Sequence, residues 1–389
     1  MHKLIYRFVL VNKSTLSIGA AYSSNTDHDI IRYSDNTPFI PASSIAGSFF
    51  SKSKYSKNVF GIVTDAKEIK DESRLFISDG IFTSDVKEST RDGIQLDSNK
   101  RTIKGAKYDT EVILDNQEWS FFIEYDVNNN LIDVQKAVID VANNIQSGLF
   151  RLGYKQNRGY GLQKITHLYF KEIKDYHDYM NFCGEELNQN DLINQINSNL
   201  ITDGDILLSL KVKLISPLIV REYSEILDYD YSQLMGNNNR ALVPGTSING
   251  VLQHRIIDVY SPKLKNIDLD SLKDEIKKTV VDELYLDGKN EIITRNKIDH
   301  FSGAVIDGAL ITEKVFVPTE NSIGTLSVRI RGGNKLIAAL YYLALRDIGA
   351  GLVNLGGEAS IGRGIFENIG DISLIGVEIN ELISSLKEA

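Results

Sequence analysis

The sequence predicts an α+β protein in which one fold is written twice along the chain. Two separate phrases carry this prediction. PASSIAG begins at Pro41 and returns, with variations, as PGTSING at Pro244, 203 residues later. A glycine-rich phrase that begins at Gly153 is followed at the same offset by a second one that begins at Gly356. Because two independent phrases share one offset, we interpret the chain as an internal duplication.

The predicted elements of the two halves follow in the same order. The first strands, YRFVLVN and LLSLKVKLI, alternate as half-buried strands do. Later strands, WSFFIEYD and IGTLSVRIRG, precede the helix-length segments LIDVQKAVIDVANNIQ and KLIAALYYLALRDI. In the first of these helices, one face collects Val134, Ala137, Val141 and Ile145. Strands mixed with two helices per half predict an α+β sheet with helices on one face, of the ferredoxin-like type.

The boundary between the halves is set by composition. Residues 171–204 are rich in Asn, Asp and Glu and lack a sustained apolar pattern. We therefore predict a first domain over residues 1–170, a linker over 171–204 and a second domain over 205–389. The second half also contains a charged segment from Ser261, which we predict to be a helical insertion.

Composition limits the class of protein. The chain has 389 residues, is 42% hydrophobic and carries a net charge of −9, which argues mildly against a nucleic-acid binder. Local basic clusters, such as residues 100–107, are exceptions to this net negative charge. Its single cysteine, Cys183, excludes an internal disulfide and a cysteine-rich zinc site. Without a signal peptide or a transmembrane run, we expect a cytoplasmic protein with no membrane partner.

The repeated phrases offer places to hold phosphate. Ser43 and Ser44 in the first half, and Thr246 and Ser247 in the second, begin predicted helices, whose free N–H groups bind anions. The glycine loops bring cations next to adaptable backbone, and neither loop fits the dinucleotide or P-loop pattern. A plain helix cap and a solvated loop are the structural alternatives for these features. The residues concerned in the loops are Lys155, Arg158, Gly159, Gly161, Gly362, Arg363 and Gly364.

Two aspartates recur at the same offset. Asp27 and Asp230 each precede their proline phrase by fourteen residues, in a polar loop after the first strand. No metal-protease histidine motif and no nucleophile elbow occurs in the sequence. The shared offset singles out Asp27 and Asp230 as functional candidates, with a solvated acidic loop as the alternative.

Together these features resemble the RAMP superfamily (repeat-associated mysterious proteins) of CRISPR systems. The similarity is greatest to the Cas-seven-like backbone subunit of type III effector complexes, which carries an acidic loop, a P-G-S-S-[IL]-x-G phrase, an R-x-x-I-D segment and a C-terminal glycine-rich loop. Both halves match, as RDGIQ at Arg91 and RNKID at Arg295 illustrate. Two fused copies resemble the fused backbone subunits of type III-D-like systems.

The resemblance implies two tandem ferredoxin-like (RRM-like) RAMP domains that grip a CRISPR guide RNA, within a complex of other CRISPR effector subunits. It implies a thumb-like hairpin that kinks the guide–target duplex. Asp27 and Asp230 would cleave target RNA at the kinks with a divalent metal ion, Mg²⁺ or Mn²⁺, recruited with the RNA. Where the family often has a lysine, this chain has Ala46 and Asn249; Lys52 and Arg255 are the candidate substitutes.

Two other functions stay open at this stage. The chain could be a scaffold that binds RNA without cleaving it, as some relatives in the superfamily do. A precursor-RNA processing enzyme of the same superfamily would usually work through a histidine. His28 and His300 occupy no shared position in the two halves, which ranks that alternative last.

Overall fold

The computed structural model describes residues 2–20, 26–55, 62–63, 69–71, 75–96, 102–127, 131–182, 184–197, 204–223, 229–265 and 268–389. The chain divides into two compact units. The first comprises residues 1–156 and 160–202, and the second comprises residues 157–159 and 203–389. Among the described helices, none has the length and apolar character needed to cross a membrane.

The first unit is built mainly from one antiparallel sheet. The strand order in this sheet is β10-β1-β9-β6-β2, and a further strand, β5, also pairs with β9. A separate hairpin is formed by β7 and β8. The strands are β1 (Lys3–Asn12), β2 (Phe39–Ile40), β3 (Ile62–Val63), β4 (Ile69–Asp71), β5 (Leu75–Ile77), β6 (Gly80–Phe82), β7 (Glu88–Leu96), β8 (Thr102–Ile113), β9 (Glu118–Asp126) and β10 (Gln163–Ile173), and the helices are α1 (Ala42–Lys52), α2 (Leu131–Gln146) and α3 (Tyr176–Asn181).

The core of the first unit lies between this sheet and its helices. Phe8 of β1 stacks on Phe121 of β9 with ring centroids 4.9 Å apart, and Trp119 stacks on Phe121 in turn. The face predicted for α2 is buried, from Val134 to Ile145. Apolar burial of this kind contributes roughly 1.5–3 kcal/mol for each large side chain, so the sheet–helix interface is the main stabilising contact of the unit.

The second unit contains a sheet in the order β15-β19-β11-β20, with β21 also paired to β11. A four-stranded sheet, β12-β13-β18-β17, carries a long hairpin. The strands are β11 (Ile206–Leu214), β12 (Arg221–Tyr223), β13 (Tyr231–Gln233), β14 (Ala241–Val243), β15 (Val280–Val281), β16 (Leu284–Leu286), β17 (Gly288–Ile298), β18 (Val305–Pro318), β19 (Ile323–Ile330), β20 (Phe366–Asn368) and β21 (Ser373–Ile375), and the helices are α4 (Gly245–Arg255), α5 (Leu269–Lys277), α6 (Lys335–Gly349) and α7 (Ile379–Glu388).

The α+β architecture predicted from the sequence is confirmed. Helices α1 and α4 begin and end 203 residues apart, and each follows a short strand that ends before the shared proline. The sequence predicted a charged helical insertion from Ser261, of which α5 is the helical part; its buried side chains are Leu272 and Ile276. The assignment of both units as tandem ferredoxin-like domains, with the predicted boundaries, stays a prediction.

The segment predicted as a linker contains ordered structure. Strand β10 runs on to Ile173, and α3 follows it. Leu187 is fully buried in a small apolar cluster with Ile5 and Ile173. The Asp191 carboxylate accepts the backbone N–H of Leu168 at 3.1 Å. Isolated apolar residues in a polar stretch give no periodic signal, and the sequence pattern therefore predicted a linker where these residues are packed.

The last glycine of each glycine loop occupies a position that no larger residue fits. Gly161 has φ +74°, and a Cβ there would lie 1.9 Å from the Leu152 carbonyl oxygen. Gly364 has φ +69°, and a Cβ there would lie 1.8 Å from the Leu355 carbonyl oxygen. In each loop the glycine carbonyl accepts the N–H of that same leucine. Both glycines, which the sequence offered as RNA contacts, thus hold the loop closed.

We expect Gly364→Ala to lower the free energy of unfolding by about 3 kcal/mol or more, because left-handed backbone and a backbone clash act together. Gly362→Ala is the matched control: its φ of +82° is equally unfavourable, but no atom lies within 4 Å of its Cβ position. It should lose only about 1–2 kcal/mol. Urea unfolding followed by circular dichroism measures both, and equal losses would contradict the steric argument.

Candidate nucleic-acid interface

Asp27 is an exposed loop residue joined to the second strand of the β7–β8 hairpin. Its backbone N–H donates to the Asp109 carboxylate at 2.7 Å, and the Asp109 N–H donates to the Asp27 carboxylate at 3.0 Å. The next residue, His28, forms a parallel bridge with Thr110. Asp27 is therefore held at a fixed point on β8 while its side chain stays accessible to solvent.

Asp230 is held in a similar way in the second unit, but its N–H donates to a backbone carbonyl where that of Asp27 donates to a carboxylate. Its N–H donates to the Thr312 carbonyl at 2.7 Å, and the Thr312 N–H donates to the Asp230 carboxylate at 2.9 Å. The following residue, Tyr231, pairs in parallel with Glu313 of β18. Asp27 and Asp230 each contact a strand residue 82 positions further along the chain. The two aspartates matched by spacing thus have a similar local geometry.

The hairpins next to these aspartates expose apolar side chains. Phe301 lies in the turn between β17 and β18 and is fully exposed. RDGIQ lies in β7 and RNKID begins in β17, so both segments belong to the first strand of a hairpin. The sequence did not reveal that these apolar side chains are exposed, because alternation in a strand predicts that its apolar face is buried. Exposed on the second hairpin are Ile292, Ile298, Phe301, Val305, Ile306, Leu310 and Ile311.

The two proline phrases begin helices, as predicted, but differ at the helix N-terminus. In the first unit the Ala42 N–H donates to the Asp79 carboxylate at 2.7 Å, so a carboxylate already occupies part of the predicted phosphate seat. Ser43 is exposed and Ser44 partly exposed. In the second unit, α4 has no side-chain cap, and Thr246 and Ser247 are partly exposed. Pro244 and Gly245 at the start of α4 are buried, and a Cβ on Gly245 would lie 2.4 Å from the Val281 carbonyl oxygen, so this N-terminus is packed against the fold.

The other predicted RNA-contacting cations differ in their exposure and in their contacts. Arg158 is exposed and Lys155 partly so. Arg255 donates to the Asp347 carboxylate at 2.6 Å, and this hydrogen bond, against some desolvation, raises the pKa of Arg255. The pairing ties α4 to α6, which gives Arg255 a structural contact that its sequence position did not reveal. The side chain of Lys52 lies outside the described residues.

Arg363 is buried, unlike an RNA-contacting arginine on a solvated loop. It belongs to an ion cluster that we call the Glu313 cluster, formed by Arg221, Arg295, Arg363, Glu313 and Glu358. Arg363 Nη1 lies 2.9 Å from Glu313 Oε2 and 2.5 Å from Glu358 Oε2. The Arg363 charge is thus neutralised inside the second unit, which corrects the expectation that it faces RNA. No sequence signal joined these five residues, since they come from four separate segments.

The Glu313 carboxylate stays ionised in this cluster. Burial alone would raise the pKa of Glu313, but the hydrogen bond from Arg295 and the charge of Arg363 hold the pKa below its ordinary value of 4.5. A carboxyl whose folded pKa is lowered stabilises the fold above its unfolded-state pKa. That stabilisation is lost as the pH falls through the folded-state pKa.

We therefore expect Glu313→Gln to destabilise the second unit by about 3 kcal/mol near neutral pH, because buried Arg363 loses one partner and the three arginines are left to share the Glu358 carboxylate. The difference from the wild type should shrink as the pH falls below 4.5. Glu320→Gln, an exposed glutamate in the turn after β18, is the control and should change stability by less than about 0.5 kcal/mol. Unfolding measured across pH tests this, and a pH-independent difference would contradict the role of the charge.

The chain was compared with protein-family models and with curated protein sequences. No curated sequence matches it. The family model of the RAMP superfamily matches residues 18–164. This range includes Asp27, helix α1, the β7–β8 hairpin and the first glycine loop. The match supports the resemblance to the RAMP superfamily in the first half of the chain, and with it a CRISPR-associated, RNA-binding role.

Proposed function

We propose that this chain is a guide-RNA-binding backbone subunit of a type III CRISPR effector complex, made of two fused ferredoxin-like RAMP domains, and that it cleaves complementary target RNA. The observation that carries the proposal is the shared position of Asp27 and Asp230. Each is exposed and is held on the second strand of a hairpin by reciprocal contacts with a residue 82 positions away. A duplex displaced by such a hairpin would meet a carboxylate beside the middle of its second strand.

The chemistry assigned to each aspartate is cleavage by the target's own 2′-hydroxyl. This attack needs an in-line geometry that a regular duplex does not allow, so a splayed nucleotide aligns it. The carboxylate then takes up the hydroxyl proton or acts with a bound cation. The hydroxyl oxygen forms a bond to phosphorus as the bond to the 5′-oxygen breaks.

The residues at Asp27 fit a weakly held divalent cation. Asp27 and Asp109 both offer carboxylate oxygens, which Mg²⁺ and Mn²⁺ prefer as ligands. At Asp230 the partner is Thr312, so that position offers a single carboxylate. Among the described residues, only exposed Asp175, His177 and Asp178 group three candidate ligands. RNA phosphates would therefore supply the remaining ligands, and the cation would lower the charge repulsion around the reacting phosphate.

The alternative function is a scaffold that binds guide RNA without cleavage. It is kept because the Asp230 position offers a single carboxylate to a cation, whereas the Asp27 position offers those of Asp27 and Asp109. Under this alternative, both exposed aspartates are ordinary loop residues. Cleavage assays separate the two functions, because guide binding is common to both.

We expect the complex purified from its host to contain RNA of uniform 5′ sequence, and binding to weaken as salt rises, since phosphate contacts release counterions. Sequencing of the extracted RNA and binding titrations at several salt concentrations provide the measurement. Recovery of an RNA-free chain from a host that expresses the whole operon would contradict RNA binding itself.

We expect Asp27→Asn to slow the formation of one cleavage product of a labelled target, and Asp230→Asn to slow the formation of another. Each rate should fall by at least about 100-fold. Asparagine keeps an oxygen that accepts the neighbouring backbone N–H, so the fold and guide binding should persist. Asp35→Asn is the control, because Asp35 is also an exposed loop aspartate whose carboxylate accepts a backbone N–H, from Thr37 at 3.0 Å.

Gel analysis of the products with and without Mg²⁺ or Mn²⁺ measures the effect. Persistence of both products in the double variant would assign cleavage elsewhere. Absence of any product from the guide-loaded wild type would favour the scaffold.

A further inference from the structure

Aromatic side chains gather around Lys155 in the first unit, directly beside Asp27. We call this group the Lys155 aromatic cluster; it consists of His28, Tyr108, Tyr154, Lys155 and Tyr160. Lys155 Nζ lies 4.4 Å from the centroid of the Tyr108 ring and 5.3 Å from that of Tyr154. The His28 ring lies 5.2 Å from Tyr154 and 6.5 Å from Tyr108, centroid to centroid.

The cluster presents rings to solvent on a fixed backbone. Tyr154 is 49% exposed, whereas Tyr160 beneath Lys155 is 4% exposed. The Tyr154 N–H donates to the Ser17 carbonyl at 2.8 Å, and Lys155 adopts the left-handed conformation, with φ +55°. Lys155 Nζ also donates to Thr110 Oγ1 at 3.1 Å. The exposed rings are thus held in place before any ligand arrives.

Half-exposed rings beside a cation suit an unpaired nucleobase. Proteins that bind single-stranded RNA stack bases on aromatic side chains and neutralise the adjoining phosphate with a cation. His28 follows Asp27 in the chain and pairs with Thr110, which Lys155 also contacts. A base stacked here would bring its own sugar and phosphate to the aspartate.

We propose, resting on the function proposed above, that the Lys155 aromatic cluster stacks one unpaired base of the target RNA next to Asp27. Tyr154 provides the stacking face, His28 borders it, and Lys155 faces the phosphate. The cluster is a positioning device, since it holds the nucleotide whose 2′-hydroxyl reacts.

The second unit lacks this cluster. At the offset of 203, Tyr108, Tyr154 and Lys155 correspond to Ile311, Gly357 and Glu358. Glu358 has the same left-handed backbone as Lys155, with φ +59°, but its carboxylate joins the Glu313 cluster. Among the described residues, this grouping of rings around a glycine-loop cation is therefore confined to the first unit. Beside Asp230 the cation–ring pairs are instead Arg221 with Tyr231 and Lys314 with Tyr229, so the two aspartate positions offer different rings to the target.

The test uses the guide-loaded complex and a complementary target RNA that carries the fluorescent base 2-aminopurine at one position at a time. Stacking on tyrosine quenches 2-aminopurine, so one position served by the first unit should be quenched relative to an unpaired base in solution. Tyr154→Ala should restore its fluorescence several-fold and slow the Asp27-dependent cleavage, while the Asp230-dependent product forms at the wild-type rate. Tyr154→Phe keeps the ring and should behave as the wild type.

Tyr176→Ala removes another exposed tyrosine of the same unit, 71% exposed on α3, and should have no effect. Quenching that persists in Tyr154→Ala, or a Tyr154→Phe variant as impaired as Tyr154→Ala, would overturn the stacking proposal. If the Tyr154→Ala complex binds guide and target normally and its 2-aminopurine still stays quenched, only the stacking proposal is contradicted. Failure of the wild type to bind any guide would contradict the proposed function instead.

Discussion

The parallel pairing between each aspartate loop and the second strand of its hairpin organises both candidate sites. It joins His28 to Thr110 in the first unit and Tyr231 to Glu313 in the second. Because strand pairing fixes register, each preceding aspartate can occupy only one place along its hairpin. Without this pairing, a polar loop after the first strand would leave the carboxylate unplaced. The chemistry proposed for the chain depends on that placement more than on any property of the aspartate itself.

The same backbone position supports opposite chemistry in the two units. Lys155 and Glu358 both adopt left-handed backbone in their glycine loops. Lys155 contacts Thr110, whereas Glu358 pairs with Arg295 and Arg363. In the first unit the position collects exposed rings around a cation. In the second it collects three arginines, of which Arg363 is buried, around two carboxylates, and this pairing neutralises their positive charge. Backbone geometry therefore did not decide which function each loop serves.

The sequence predicted the features that repeat and missed the features that do not. A shared offset located Asp27, Asp230 and the two loops, and periodicity located the buried face of α2. The sequence could not show that Arg363 is buried, since its neighbours Glu313 and Arg295 come from distant strands. Nor could it show that the Asp79 carboxylate sits at the N-terminus of α1. Long-range pairs leave no periodic trace, so burial and charge pairing at the loops had to come from the structure.

The exposed apolar side chains of the β17–β18 hairpin have a consequence for assembly. Phe301 and its neighbours on the two strands present a surface of the kind that marks interaction sites in soluble proteins. Under the proposed function a duplex or a neighbouring subunit would cover this surface, and a free copy of the chain would leave it open to self-association. Balanced production of the chain and its partners would then matter as much to the cell as the affinity between them.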